Sequence, residues 1–217
     1  MKPPLRVLIV DDHQMFREGV RNRLEQDPDI QVVGEAGSGK EALESLKQEN
    51  PSVVILDIRL PDMSGVDVAR VLRKKSPKVK ILVLTGYDYY QYVREMARIG
   101  VDGYLLKDAP LDMLVETLKE IASGGTVLPP DIASKVIRAY AYASKKIQAP
   151  PTWALSVREL EVLEFLYQGL KNTEIAERLG ISTRTIENHV GSIMSKFGVQ
   201  TRAQAVYYAL EIGLFKK

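Results

Sequence analysis

Five polar residues in the first half of this sequence stand where apolar runs end, and their side chains suit one kind of chemistry. They are Asp11, Asp12, Asp57, Thr85 and Lys107. Three carboxylates at one site repel one another, each pair by about 4 kcal/mol at ~4 Å and an effective dielectric of about 20, so cations must compensate. Oxygen ligands in an exposed crevice suit Mg²⁺, and Lys107 supplies a second positive charge. Such a site favours phosphoryl transfer to Asp57, with Lys107 and Thr85 holding the phosphoryl oxygens.

These side chains meet only if a parallel sheet brings the strand ends to one edge. Strand-like runs and helical segments alternate five times, which predicts a (βα)5 fold of the α/β class with both faces of the sheet covered. The predicted strands are Leu5–Val10, Gln31–Val33, Val53–Leu56, Lys80–Leu84 and Gly103–Leu106, and the predicted helices begin near Gln14, Gly39, Gly65, Asp88 and Leu111. Open sheets of this kind bind ligands in a crevice outside the carboxyl ends of the strands.

Each of the five residues also has an ordinary structural role when it is considered alone. Asp11 or Asp12 can cap a helix, and Lys107 can form a surface ion pair. Thr85 can be a strand-end hydroxyl. The coincidence of all five residues at strand ends is what favours a site.

Composition limits the function classes open to the chain. It has 217 residues, of which 45% are hydrophobic and 27% charged, as is typical of a globular protein of one or two domains. The lack of cysteine excludes disulfides and thiolate metal sites, and two histidines, His13 and His189, are too few for a zinc site. No apolar run approaches the ~20 residues of a membrane span, and the first residues do not resemble a signal peptide. We therefore expect a cytoplasmic protein without a membrane partner.

The β/α pattern ends near Ser123. One more helix is expected from Ile132 to about Ser144, with Pro130 near its first turn. The segment 145–151 has two prolines and no periodicity, which indicates a flexible joint. We therefore predict a first domain at residues 1–122, a linker at 123–152 that contains this helix and the Pro-rich joint, and a last domain at 153–217.

The last domain contains no strand pattern and is predicted to be helical. Ser156 and Glu159 form a capping-box pattern that begins a helix, and Gly169 ends it. The segment 172–186 has the pattern of a helix-turn-helix, since Gly180 permits the left-handed conformation at the turn and Ile186 fills the angle between the helices. One face of the second helix is apolar, and the opposite face is polar and small.

The polar face of this second helix suits the major groove of DNA. Its candidate DNA-contacting residues are Thr183, Arg184, Glu187, Asn188, Ser192, Ser195 and Lys196. Glu187 and Asn188 can reach base edges, and Arg184 is among the residues that can meet phosphates, with Thr183, Ser195 and Lys196. The net charge is only +2 and no segment is strongly basic, so a helical hairpin that serves protein contacts stays open as an alternative.

Four motifs resemble the receiver domain of two-component response regulators. They are VLIVDDH at 7–13, ILDIRLPDMSG at 55–65, VLT at 83–85 and GYLLKD at 103–108. The resemblance covers about residues 5–122 and implies a flavodoxin-like fold with strand order 2-1-3-4-5. It also implies that a sensor histidine kinase phosphorylates Asp57, and that Mg²⁺ is held by Asp12, Asp57 and the backbone carbonyl of Arg59, with help from Asp11. Thr85 and Tyr104 would move as a switch, although Tyr104 can equally be a core residue.

The tail resembles the LuxR-type DNA-binding domain of NarL/FixJ-type regulators over about residues 153–215. The segments LSVRELEVL at 155–163, EIA at 174–176, TIENHV at 185–190 and KFGV at 196–199 carry this resemblance. It implies a small all-α four-helix domain that binds DNA half-sites as a dimer, with residues 202–212 in the contact between protomers. Many relatives carry Lys where this chain has Glu187 and another polar residue where it has Gly191, so their base contacts do not transfer.

Together the two resemblances imply a transcription regulator that is not an enzyme, in which phosphorylation of Asp57 drives dimerisation and DNA binding. The implied partners are the sensor histidine kinase, promoter half-sites, a second copy of the chain and RNA polymerase. A phosphorylation-independent regulator with a vestigial receiver is the alternative. A phosphatase of the haloacid dehalogenase type also uses an Asp nucleophile, but Arg59 stands where that enzyme needs a second acid.

One further segment, GEAGSGKE at 34–41, nearly matches the P-loop of nucleotide-binding proteins. A P-loop needs Ser or Thr directly after its lysine to bind Mg²⁺, and this chain has Glu41 there. The Glu41 carboxylate would repel phosphates. We therefore interpret the segment as a loop in which Ser38 caps a helix, and we expect no ATP binding.

Overall fold

The computed structural model describes residues 3–144, 155–212 and 214–215. The described residues form two compact units. One comprises the chain up to Asp88 together with Tyr92–Val136, and the other comprises Tyr89–Gln91 together with the chain from Ile137 onward. The Pro-rich joint predicted at 145–151 lies outside the described residues.

The first unit is a five-stranded parallel sheet whose strands alternate with helices. The strand order is β2-β1-β3-β4-β5, which confirms the predicted flavodoxin-like arrangement. Its elements in chain order are β1 (Leu5–Val10), α1 (Gln14–Leu24), β2 (Ile30–Ala36), α2 (Gly39–Glu49), β3 (Val53–Leu56), α3 (Gly65–Lys75), β4 (Lys80–Thr85), α4 (Tyr90–Ile99), β5 (Gly103–Leu106) and α5 (Leu111–Ala122). The helix α6 (Pro130–Ser144) follows, and the boundary between the two units falls within it.

Burial of the central strands explains why the sheet forms. Every residue of β3 is at most 2% exposed, as its unbroken apolar sequence predicts. Backbone hydrogen bonds continue past the strand ends, from Asp57 N to Val10 O at 2.9 Å and from Lys107 N to Thr85 O at 2.9 Å. These bonds align the carboxyl ends of neighbouring strands, so the polar residues that follow the strands lie at one edge.

Several element boundaries differ from those predicted. The strand β4 includes Thr85, and α6 begins at Pro130 rather than Ile132. Two further differences, in β2 and α4, have a common cause. The strand β2 extends beyond Gln31–Val33 because its pairing with β1 continues through Gly34 and Glu35, after a register shift between Val7 and Leu8. The helix α4 begins at Tyr90 rather than near Asp88. In both places backbone hydrogen bonding, rather than apolar periodicity, sets the boundary.

The described part of the second unit is helical beyond residue 155. Its helices are α7 (Val157–Tyr167), α8 (Asn172–Leu179), α9 (Thr183–Phe197) and α10 (Arg202–Glu211). The capping box between Ser156 and Glu159 is present, and Gly180 ends α8 with φ of 62° in the left-handed region. The sequence prediction of four helices with a tight turn between α8 and α9 is therefore confirmed.

Candidate functional site

Three carboxylates and one imidazole converge at the carboxyl ends of β1 and β3. One ligand atom from each of Asp11, Asp12, His13 and Asp57 lies within 4.8 Å of the others. Asp11 and Asp57 are buried, each 2% exposed, whereas Asp12 and His13 are exposed. The structure thus brings together the carboxylates that the sequence placed at separate strand ends. It also adds His13, whose Nδ1 lies 2.7 Å from Asp12 Oδ1.

Lys107, which follows β5, supplies positive charge to this cluster. Its Nζ lies 2.6 Å from Asp11 Oδ2 and 2.5 Å from Asp57 Oδ2. Burial lowers the pKa of Lys107, but the nearby charges of Asp57 and Asp11 outweigh that effect and raise the pKa overall. Lys107 therefore stays protonated and offsets the repulsion between the two buried carboxylates.

Backbone groups fix the orientation of the Asp57 carboxylate. Its Oδ1 accepts hydrogen bonds from Ile58 N at 2.6 Å and from Arg59 N at 3.4 Å, while its Oδ2 faces Lys107. Gly65 packs against the same turn, and its N donates to Ile58 O at 2.7 Å. A Cβ atom at Gly65 would lie 2.0 Å from Asp57 O, so this close approach requires glycine.

Thr85 ends β4 with its hydroxyl group inside the protein. The residue is 0% exposed, and within the described chain its Oγ1 has no hydrogen-bond partner. Leaving a buried hydroxyl unsatisfied costs about 1–3 kcal/mol. A ligand oxygen that accepts a hydrogen bond from Thr85 would remove this cost.

Tyr104 and Arg59 both contact Tyr87, which lies two residues beyond Thr85. Tyr104 is 1% exposed, and its hydroxyl donates a hydrogen bond to Tyr87 O at 2.5 Å. Burial raises the pKa of the Tyr104 phenol well above its ordinary value. The Arg59 guanidinium lies 4.3 Å from the centre of the Tyr87 ring. Tyr104 is thus a core residue whose polar end holds the loop beside the acidic cluster.

The second candidate site is the exposed face of α9. Ile186, Ile193 and Phe197 are buried on one side of the helix, as predicted. On the other side, four of the seven candidate DNA-contacting residues are exposed, namely Arg184, Glu187, Asn188 and Ser195. Thr183 is half-buried in the first turn. The helix therefore presents a polar surface that has few charges.

Ser192 and Lys196, the remaining two candidates, both donate to one buried carboxylate on α7. Ser192 Oγ lies 2.6 Å from Glu159 Oε1, and Lys196 Nζ lies 2.5 Å from Glu159 Oε2. Burial acts to raise the pKa of the Glu159 carboxyl, but hydrogen bonds from Lys196, Ser192 and the Ser156 backbone lower it to about 2. Glu159 thus connects α7 to the helix that carries the polar surface.

Comparison with known protein families assigns both halves of the chain. Residues 7–119 match the family described as "Response regulator receiver domain", and residues 154–209 match "Bacterial regulatory proteins, luxR family". The chain belongs to the response regulators. Its receiver domain is followed by a LuxR-type DNA-binding domain, and its function is transcriptional regulation.

Curated relatives match this response regulator over almost its whole length. "Transcriptional regulatory protein DegU" of Brevibacillus brevis is 36% identical, with 98% of this chain and 95% of that protein covered. "Transcriptional regulatory protein LnrK" of Bacillus subtilis is 35% identical, with 97% of this chain and 98% of that protein covered. "Response regulator protein VraR" of Staphylococcus aureus is 34% identical, covering 98% and 99%. The order of the two domains is therefore shared with these proteins.

Solved structures also resemble the response regulator. The RcsB response regulator of Salmonella typhimurium gives a TM-score of 0.76 at 25% identity, with 97% of this chain and 99% of that chain covered. RcsB of Salmonella enterica serovar Typhimurium, bound to promoter rprA in the presence of the phosphomimetic BeF3-, gives 0.68 at 26% identity, covering 94% and 98%. ChrA, from a heme-sensing two component system, gives 0.53 at 34% identity, covering 99% and 100%.

The P-loop-like segment of the response regulator already holds a carboxylate from its own chain. Gly39 N and Lys40 N donate to Asp62 Oδ1 and Oδ2 at 2.7 and 2.9 Å. Ser38 Oγ accepts from Glu41 N at 3.2 Å, as predicted for a helix cap. The backbone groups that a P-loop directs at phosphates are therefore used to fix the loop between β3 and α3.

The contacts around these sites differ in how clearly the sequence signals them. His13 has the right chemistry and adjoins Asp12, so proximity was a usable clue, whereas the contact between Glu159 and Lys196 spans 37 residues. Arg17 donates a hydrogen bond to the Asp11 backbone carbonyl, a contact that helical periodicity does not predict.

Among the helices of the described segments, none has the length and apolarity needed to cross a membrane.

Proposed function

We propose that Asp57 accepts a phosphoryl group from a sensor histidine kinase and that this modification controls DNA binding. The observation that supports the proposal is the buried Thr85 hydroxyl, which has no hydrogen-bond partner in the described chain and lies at the strand end beside Asp57 and Lys107. A phosphoryl oxygen on Asp57 would satisfy this hydroxyl, and Lys107 would balance its charge.

The donor set around Asp57 fits Mg²⁺. Asp11, Asp12 and Asp57 supply hard oxygen ligands close together, and the Arg59 carbonyl is the fourth proposed ligand. When bound, the ion would neutralise charge on the phosphoryl oxygens. Two of the three carboxylates are buried, so an added divalent cation would also relieve their mutual repulsion.

In the proposed transfer, a carboxylate oxygen of Asp57 forms a bond to phosphorus. The bond between phosphorus and the donor, a histidine nitrogen of the kinase, breaks and the nitrogen keeps the electron pair. The product is an acyl phosphate on Asp57. Lys107 and Thr85 hold its oxygens. The loop after Thr85 would then move, and Tyr104 would move with it because its hydroxyl donates a hydrogen bond to Tyr87 in that loop.

For DNA recognition we propose that α9 enters the major groove of promoter half-sites. Arg184, Thr183 and Ser195 would contact phosphates, while Glu187 and Asn188 would read base edges. Ser192 and Lys196 are also proposed to face the DNA, although in the described structure both donate to Glu159. With so few cations per domain, two copies acting together on one site would be needed for useful affinity.

The remaining elements of the proposal concern partners and location. A homodimer formed on phosphorylation, with α10 at the contact between protomers, would present two reading helices to a pair of half-sites. RNA polymerase is the further partner expected of a transcription regulator. We propose that the protein acts in the cytoplasm and is not an enzyme. The proposed domain boundaries remain 1–122, 123–152 and 153–217.

Intact-mass spectrometry after incubation with Mg²⁺ and acetyl phosphate tests the modification. Wild-type protein should gain one phosphoryl group, Asp57→Asn should gain none, and Asp67→Asn, which changes an exposed carboxylate on α3, should behave like wild type. An unmodified wild type, or an equally modified Asp57→Asn, would refute the proposal. If Asp57→Asn binds DNA as tightly as phosphorylated wild type, the protein is instead a phosphorylation-independent regulator with a vestigial receiver.

A further inference from the structure

Lys135, on α6, contacts the loop that follows Thr85. Its Nζ donates a hydrogen bond to the Asp88 backbone carbonyl and lies 2.7 Å from Asp88 Oδ2. The Lys135 and Asp88 side chains are only 28% and 34% exposed. One ammonium group thus holds both the backbone and the side chain of a single loop residue, which is a tighter constraint than an ordinary surface ion pair.

Thr85, the last residue of β4, and the loop 86–88 that follows it are here together named the switch loop. The switch loop touches the proposed phosphoacceptor site at two points. Thr85 brings its buried hydroxyl to the site, and Tyr87 accepts the Tyr104 hydrogen bond and packs against Arg59. Only Gly86 lies between these residues, so we expect a shift of Thr85 toward a phosphoryl oxygen to displace Tyr87 and Asp88 as well. Asp88 is the residue that Lys135 holds.

The start of α6 is firmly attached to the first unit. Val127 pairs with the edge of β5, with Tyr104 N donating to Val127 O at 3.0 Å and Val127 N donating to Asp102 O at 3.2 Å. Ile132, in the first turns of α6, is 1% exposed. Lys135 lies one residue before the end of the first unit at Val136, and the rest of α6 is grouped with the second unit. The boundary between the two units thus falls within α6, and Lys135 connects this same helix to the switch loop.

We propose that Lys135 is a positioning residue that couples the switch loop to α6, so that phosphorylation of Asp57 shifts α6 through Asp88. This inference rests on the proposed phosphorylation of Asp57. Both contacts of Lys135 go to the same loop residue, so a displacement of Asp88 acts on α6 through this one side chain. Coupling of this kind is reciprocal, so a change in α6 on DNA binding must in turn alter the switch loop.

The test uses the whole 217-residue chain and three variants. Lys135→Met removes the charge but keeps a long helix-forming side chain, and Lys135→Arg keeps the charge. Lys119→Met is the matched control, because Lys119 on α5 lies 2.7 Å from Asp27 in the same unit but outside the switch loop. Affinity for a duplex selected from random sequences by wild-type protein is measured before and after treatment with Mg²⁺ and acetyl phosphate, and intact mass reports the extent of phosphorylation.

Lys135→Met is expected to be phosphorylated as fully as wild type. Its gain in DNA affinity on phosphorylation should fall about fivefold or disappear. This fall corresponds to the loss of an ion pair at the upper end of the free-energy range for surface ion pairs. Lys135→Arg and Lys119→Met should keep the wild-type gain. An undiminished gain in Lys135→Met, or an equal loss in Lys119→Met, would overturn the inference. If wild type takes up no phosphoryl group, or is phosphorylated without gaining affinity, the proposed function itself fails; if wild type gains affinity and Lys135→Met gains as much, only the coupling through Lys135 fails.

Discussion

The ammonium of Lys107 lies 2.5 Å from the Asp57 carboxylate, and the same ammonium lies 2.6 Å from Asp11. Both carboxylates are 2% exposed, so water does little to screen their charges. The cation is therefore needed for stability as well as for the proposed chemistry. Removing it takes away the cation that contacts both of these buried negative charges.

Replacing Lys107 by methionine should lower the free energy of unfolding by about 3–5 kcal/mol at neutral pH, the range for breaking a buried ion pair on one side. Millimolar Mg²⁺ should restore part of the lost stability. Urea unfolding of the full chain with and without Mg²⁺ measures both effects.

Lys119→Met, which removes an exposed ion pair from α5, is the control for this experiment. It should change stability only slightly and should not respond to Mg²⁺. A Lys107→Met protein as stable as this control would show that the two buried carboxylates are compensated by some other group.

The close packing of Gly65 against the backbone of Asp57 leads to a second prediction. In Gly65→Ala the new Cβ would start 2.0 Å from Asp57 O and 2.8 Å from Ile58 Cα, so the backbone that carries the proposed phosphoacceptor must move. We expect slower phosphorylation by acetyl phosphate and a stability loss of about 1–3 kcal/mol, as for other overpacked sites.

The matched control for Gly65→Ala is Gly19→Ala in α1, where nothing lies within 4 Å of the added Cβ. Alanine should stabilise that helix by about 0.5–1 kcal/mol and leave phosphorylation unchanged. If Gly65→Ala reacts at the rate of Gly19→Ala, the close packing of Gly65 on the Asp57 turn is not what positions the carboxylate.

The sequence predicted the fold and the acidic cluster because strand ends have a simple geometry. Four apolar residues before Asp57 identify a buried strand, and a parallel sheet then places Asp11, Asp12, Thr85 and Lys107 at the same edge. Each of these inferences needs only local pattern and one rule of topology. No side-chain contact has to be known.

The contacts between distant surface side chains were not predictable in this way. Lys135 and Asp88 are 47 residues apart, and neither interrupts a pattern or belongs to a motif. Helical periodicity places Ser192 and Lys196 on the polar face, where they are predicted DNA contacts, but it does not reveal that both also donate to Glu159 on α7. Periodicity shows which side of a helix is polar, not which polar groups a neighbouring helix already binds.

Glu159 gives a prediction about pH. Its pKa is about 2 in the folded protein against an ordinary 4.5, so its contacts add stability that is fully present above about pH 4.5 and is lost as the pH falls toward 2. Glu159→Gln should therefore be less stable than wild type by about 1–2 kcal/mol at neutral pH, after allowance for solvent screening. The difference should diminish below about pH 4.5, as urea unfolding followed by circular dichroism can measure.

Glu177→Gln, on the exposed surface of α8, controls for the loss of one negative charge. Its stability relative to wild type should not follow the same pH dependence. A stability difference between Glu159→Gln and wild type that stays constant from neutral pH to about pH 3 would contradict the prediction. It would mean that the contacts of Glu159 with Lys196 and Ser192 add no stability through the charge of its carboxylate.

The same network predicts how two cations of α9 differ in DNA binding. Each phosphate contact adds about 0.9 to the slope of log affinity against log salt concentration. Arg184 is exposed, so Arg184→Ala should reduce that slope by about 1, whereas Lys196→Met should reduce it much less because Glu159 already binds the Lys196 ammonium. Fluorescence anisotropy with a non-specific duplex between about 50 and about 200 mM salt measures both slopes. Equal reductions would show that Lys196 leaves Glu159 when DNA binds, and that the link between α7 and α9 is broken in the complex.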